Sequence, residues 1–263
     1  MSQAGEIPNQ TNLNNQDFKL APDQIRVGRR IYKGRNYIDT EVPGYEPINV
    51  LAKGSEYWEL SPYFLKSKDG VIMENEYQFS KVYRVSPAND DINNSYTGKV
   101  TYSQKEEIHV DEKGFLTPEY FAWRERGFKH PEWVRYPPGR KNMHLCIGAY
   151  LPGEPKLLDY VEARIKIYAK LYIEQVQAHP KYQELVNKLK AGKKLLIREV
   201  DGPIETDLQY YKDKYGVGDD FIEKNSMIAN PKNIAIMLYD SKNKWGHCYA
   251  LAWALLLTFG VTK

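Results

Sequence analysis

The chain has 263 residues, 42% of them apolar, which is enough to build a sizeable core. Its net charge of +3 is mild and its basic residues are spread along the chain, so composition marks no nucleic-acid-binding face. No apolar run reaches the roughly eighteen residues of a membrane-spanning helix, and Cys146 and Cys248 fit neither a disulfide framework nor a paired metal spacing. A reducing, cytoplasmic setting is therefore expected. No leader is expected either, because the N-terminus has no apolar stretch behind a basic start.

Residues 1–24 are rich in Asn and Gln and are expected as a disordered tail, leaving 25–263 as a single domain. Ile25-Arg26-Val27 and Arg30-Ile31-Tyr32 read as two short extended segments, and residues 45–51 as the next strand. Asp69-Gly70 is a turn signal, after which the spacing predicts a helix over 72–83. Residues 86–113 are polar and predict an inserted loop or flap, with a hairpin formed by Val100-Thr101-Tyr102 and Ile108-His109-Val110. Thr117-Pro118 opens a helix that Gly127 closes. Residues 133–139 form a Pro-rich loop. Helical periodicity is clearest over 157–176 and continues over 182–189. Residues 195–197 predict a strand ending at Asp201-Gly202-Pro203, and 234–239 a second one ending at Asp240. A turn containing Trp245-Gly246-His247 leads into a final helix over 248–259. Together these elements predict an α+β fold, mostly helical with a small number of short strands.

Four places carry candidate chemistry. Glu74, Tyr77, Gln78 and Lys81 fall at i, i+3, i+4 and i+7, so they share one helix face. That face is either a ligand-holding trio or a solvated charged surface. Arg164 lies inside an apolar helical stripe and needs a carboxylate or phosphate partner; Glu74, Glu199, Asp201 and Asp240 are candidates, and an ion pair that only holds helices together is the competing reading. Glu199 and Asp201 alternate at a strand end, which suits either a ligand-facing carboxylate pair or an acidic turn. Trp245 and His247 flank a glycine at a helix start, where they line a pocket or cap and pack the helix. Phosphate loops, dinucleotide fingerprints, kinase signatures and nucleophile elbows are all absent, so no metal and no cofactor is called for.

The segment Leu60-Ser61-Pro62-Tyr63-Phe64, then Asp69-Gly70, then Met73 to Lys81 resembles the signature of the NADAR superfamily of YbiA-like proteins. Trp245-Gly246 and the apolar run behind it resemble that family's final helix, while Pro62 stands where the family has Asn. The resemblance implies a NADAR-like fold and hydrolysis of an N-glycosidic bond. Glu74 would match the catalytic glutamate, with Asp201, or else Asp240, as the later acid. Gln78 and Lys81 fall on the family's helix positions. On that reading Tyr63, Trp133 or Trp245 stacks on a base, and Arg164 or Lys81 holds a phosphate. The expected partner is a nucleotide-like small molecule, or a modified nucleic acid such as an ADP-ribosylated base. A binding protein without turnover, and a glycosylase-like base-processing protein, are the alternatives.

Overall fold

The computed structural model describes residues 18–34, 36–52, 54–86 and 106–262. Strand β1 (Ile25–Lys33) is its organising element. The first half of β1 pairs in parallel with β8 (Lys194–Glu199) and antiparallel with β9 (Ser226–Ile228), and its second half pairs antiparallel with β2 (Asn36–Asp39). The other edge of β8 pairs in parallel with β3 (Tyr45–Asn49). These strands form a curled mixed sheet shaped like half a barrel. β8 is enclosed by two parallel neighbours, which matches its unbroken Leu-Leu-Ile run.

Against this sheet packs α8 (His247–Thr258), apolar on every side and buried for nearly its whole length. It also touches α4 (Lys170–Gln177) and α7 (Pro231–Tyr239). Helix α3 (Tyr160–Ala163) runs into a π-helical turn over Arg164–Ala169 and then into α4. Helix α5 (Pro180–Lys190) contacts β8, and α6 (Leu208–Tyr215) stands near the sheet's far end.

A smaller apolar cluster sits beside this core. It joins Phe79, Val82, Tyr83, Tyr120, Trp123 and Val134. These come from α1 (Met73–Gln78) and its C-cap, β4 (Lys81–Tyr83), α2 (Pro118–Phe128) and the loop after α2. β4 pairs with β7 (Cys146–Ala149), and β5 (Val85–Ser86) pairs with β6 (Glu107–Ile108). Thr117 caps α2 through its side chain, with Pro118 in the first turn, as the dipeptide predicts.

Several expectations are corrected. Among the described residues 38% are helical and 20% lie in strands, and the curled sheet carries the architecture, so the mostly helical, NADAR-like fold expected from the sequence is not what it adopts. The two extended segments at 25–32 are one strand, because β1 bonds three neighbours at once. The helix expected over 72–83 stops at Gln78 and the chain continues as β4, where Lys81–Tyr83 pair with β7. The apolar run 234–239 is helix α7, capped by Asn230 and started by Pro231; a short apolar run fits either state. Ile108 takes part in a short strand pair with Val85, whereas the expected strand 100–102 lies outside the described residues. So do residues 1–17 of the expected tail; of the remainder, Leu20 and Gln24 are buried and Phe18 packs against Phe259.

Gly127 on α2 lies flat against the Phe79 ring, and a β-carbon there would overlap that ring. Phe79 in turn packs on Trp123, and the contact sets how α1 sits against α2. Gly127→Ala should lower the unfolding free energy by about 1–3 kcal/mol, the usual effect of overpacking a core. Urea unfolding of the purified chain measures this, and an unchanged midpoint would refute the packing account.

Candidate functional site

Helix α1 is short and positioned by its neighbours. The Met73 and Glu74 amides donate to the Leu65 and Pro62 carbonyls, which fixes residues 61–65 beside its first turn. Asn75 is fully buried and fastens a second segment. Its Nδ2 donates to the His130 and Glu132 carbonyls at 3.3 and 3.0 Å, and its Oδ1 accepts from the Val134 amide at 2.6 Å. These bonds bring Trp133 onto Tyr63, where the rings stack with centroids 4.6 Å apart. They also deliver Arg135, the first residue past Val134, to the same place.

The polar face of α1 points inward. Glu74 and Gln78 are each only 6% exposed, so the solvated-face reading is overturned. Gln78 Nε2 donates to Glu74 Oε1 at 2.8 Å, and Lys81 Nζ donates to Gln78 Oε1 at 2.8 Å. The amide thus couples carboxylate to ammonium. Burial raises the Glu74 pKa; Gln78, Lys81, Arg135 and His247 oppose that rise without cancelling it. Desolvation lowers the Lys81 pKa.

The second acidic group comes from the end of β8. Glu199 is 4% exposed, and its Oε2 has no hydrogen-bond partner. Gly246, the N-cap of α8, makes room for it: a β-carbon at Gly246 would overlap Glu199 Oε2 and crowd the Asp201 β-carbon. His247 donates through Nε2 to the Val50 carbonyl at 2.7 Å when that nitrogen carries the proton, and its Nδ1 lies 3.6 Å from Glu199 Oε2. The Cys248 thiol hydrogen-bonds Glu199. Burial raises the Glu199 pKa, opposed by His247 and reinforced by Asp201. Asp201 lies past the strand in a turn, where the Gly202 amide bonds the Glu199 carbonyl at 3.2 Å; it is partly exposed.

These groups share neighbours. Desolvation is the main influence on both Tyr63 and Tyr168, and the charges of Glu74 and Glu199 add to it in each case, raising both phenol pKa values. His247 acts on Glu74 and Glu199 alike. For Arg135, desolvation is outweighed by Tyr63, Tyr136, Glu74 and Asp201, which raise its pKa. Electrostatic influence therefore runs between the Glu74–Gln78–Lys81 group on α1 and the Glu199–Asp201–His247 group at the end of β8, with Tyr63 and Tyr168 feeling both glutamates. Comparison with protein-family models, with curated proteins and with solved structures finds no match.

Three expected residues stand apart. Among the described residues no carboxylate pairs with Arg164. Its guanidinium donates to the carbonyls of Met237, Leu238, Asp240 and Asn243, so it caps the C-terminal end of α7 and the turn behind it. Asp240 accepts from Tyr210, Tyr215, Lys214 and the Asn243 amide. Burial alone would raise its pKa, but bonds from Tyr210 and Lys214 outweigh that and hold it low. Trp245 is a buried packing residue against Tyr168, Tyr249 and Trp253.

Arg135, Tyr168 and Cys248 were not anticipated. Arg135 sits in a Pro-rich loop with Tyr136 at φ 59° beside it, and its signal was a basic residue flanked by aromatics. Tyr168 reads from sequence as one more apolar-stripe residue. Among the described residues no cluster of three or more His, Cys, Asp or Glu side chains is arranged to hold a metal, and no helix is long and apolar enough to cross a membrane.

The raised Glu74 pKa has a stability consequence. Its carboxyl binds a proton more tightly folded than unfolded, so its favourable contribution is complete below the unfolded carboxylate pKa and is lost as pH rises through the folded one. Glu74→Gln keeps an acceptor for Gln78 and removes the ionisation. The variant should match the wild type at acid pH, where the wild-type carboxyl is protonated folded or unfolded, and exceed it in stability at neutral pH. Urea unfolding at three pH values checks this; a variant less stable than wild type at neutral pH would contradict it.

Proposed function

We propose that this chain is a hydrolase of N-glycosidic bonds, acting on a nucleotide-like or ADP-ribosylated molecule. The observation that carries the reading is the pair of buried carboxyls, Glu74 and Glu199, supplied by separate elements and acting on the same two tyrosines. Breaking a sugar–nitrogen bond develops positive charge on the sugar and negative charge on the departing base. A fixed carboxylate eases the first and a protonated acid eases the second.

The environments divide these tasks. Glu199, raised by burial and by the neighbouring Asp201, holds a proton and passes it through Asp201 to the leaving nitrogen. Burial raises the Glu74 pKa as well, but Gln78, Lys81 and Arg135 oppose that rise, and Glu74 faces the sugar cation as it develops and stabilises it as a carboxylate. Water then attacks the anomeric carbon and gives its proton to Asp201, the more exposed acid. The products are a free sugar hydroxyl and a protonated base. The stacked Tyr63–Trp133 pair offers an aromatic surface for the base. The resemblance of residues 60–81 to the NADAR signature supports the same bond class.

A non-catalytic nucleotide binder is the second reading. A cavity borders Asp201 but none of Glu74, Gln78 and Lys81, and this favours it. The two are separated by turnover. On a panel of nucleosides, nucleotides and ADP-ribosylated bases, Glu74→Gln and Glu199→Gln should each lower kcat by about 10²–10⁴-fold on any substrate the wild type cleaves. Wild-type activity that survives Glu74→Gln unchanged would remove Glu74 from the mechanism. Saturable binding without product across the panel would select the binder.

A further inference from the structure

Asp201, but not Glu199, borders a cavity of about 380 Å³, within the range of small-molecule sites. Three cations line it: Arg29 from β1, and Lys242 and Lys244 from the turn between α7 and α8. Two carboxylates, Asp201 and Asp207, line it as well. Arg29 is held in place by one nitrogen, which donates to the Gly202 carbonyl at 2.8 Å. Lys242 reaches Asp207 at 3.3 Å, an exposed pair that contributes little to stability. Among the described residues no salt bridge engages Arg29 or Lys244. Tyr249 also lines the cavity; it is fully buried, and its hydroxyl has no hydrogen-bond partner. An unpartnered buried hydroxyl is costly unless a ligand or water satisfies it.

The charges define the ligand. A bare cation would meet three positive groups, and a bare anion would meet two carboxylates. A ligand with a compact anion at one end and hydroxyls at the other uses both sets, since carboxylates accept from sugar hydroxyls and cations hold phosphate oxygens. We propose that the cavity binds a sugar phosphate, either free or as part of a small nucleotide, with the phosphate towards Lys242 and Lys244 and the sugar towards Asp201. The assignment rests on the glycosidase reading only in directing the sugar's reactive carbon towards Asp201; the binding itself needs no chemistry.

Ribose 5-phosphate is the probe, because it has no N-glycosidic bond to cleave. Calorimetry on the full chain should show it binding at least about tenfold tighter than ribose. The preference should shrink as salt rises. The double variant Lys242→Glu with Lys244→Glu changes two exposed side chains and should fold normally while losing the preference. Tyr249→Phe should weaken binding of both probes by about three- to tenfold, the loss of one hydrogen bond. Equal affinity for ribose and its phosphate, affinity indifferent to the charge reversal, or no binding at about 10 mM would overturn the proposal. Displacement of the probe by short single-stranded DNA at lower concentration would overturn the small-molecule assignment in favour of nucleic acid. Wild-type binding of ribose 5-phosphate is measured beside turnover on the N-glycoside panel. If that binding stands and no N-glycoside is cleaved, the glycosidase reading alone fails. If N-glycosides are cleaved but binding ignores Lys242 and Lys244, the cavity assignment alone fails.

Discussion

Taking a carboxylate out of water costs several kcal/mol unless the protein supplies enough charge or hydrogen bonds in return. The chain bears that cost twice, at Glu74 and Glu199, and much of the surrounding structure is arranged around it. Gln78 gives Glu74 one donor. Gly246 gives Glu199 space at the first turn of α8, where the free amides and partial positive charge of a helix start favour an anion. Cys248 and His247 add a thiol and an imidazole. The compensation stays incomplete at both positions, because both pKa values rise and one Glu199 oxygen has no partner. Glu199, with that oxygen free, keeps a lone pair available.

Arg164 and Asp240 show the opposite outcome under the same constraint. Arg164 is as buried as Glu74, yet four carbonyls receive its guanidinium. Asp240 is wholly enclosed, and tyrosines, a lysine and a backbone amide satisfy it. Asp240 is saturated and the two terminal nitrogens of Arg164 are occupied, its Nε alone lacking a partner, and both residues fix the turn that carries Lys242 to Lys244. Burial alone does not separate a structural ionisable group from a reactive one. The balance of donors and acceptors around it does.

This balance explains what could be read in the sequence. Local signals were legible wherever a side chain acts on its own backbone: Thr117-Pro118 at the start of α2, the apolar periodicity behind α3 to α5, and the unbroken run of β8. The shared face of Glu74, Gln78 and Lys81 was legible because helical spacing puts them together, although the helix ends before Lys81. Non-local events were hidden. β1 is continuous only because β8, β9 and β2 each bond part of it. The partners of Arg164 are carbonyls at the end of a helix that reads from sequence as a strand. Arg135 enters the site only because Asn75, some sixty residues earlier in the chain, holds the loop before it. No spacing rule connects those two positions.

The end of β8 then passes from interior to surface within two residues. Glu199 is sealed beneath Gly246, whereas Asp201, past the turn, is partly exposed and borders the cavity. A sealed acid can store a proton but has no route of its own to a ligand or to water. A partly exposed acid has that route. Set side by side against one glycine, the two cover both needs, with Asp201 also raising the pKa of Glu199 by repulsion. A molecule seated in the cavity meets Asp201 and not Glu199, and its charge there would act on the Glu199 proton through Asp201. A cation developing there would favour release of the proton at the moment a leaving group needs it, so the same electrostatic coupling that makes the pair costly to bury would time its proton transfer.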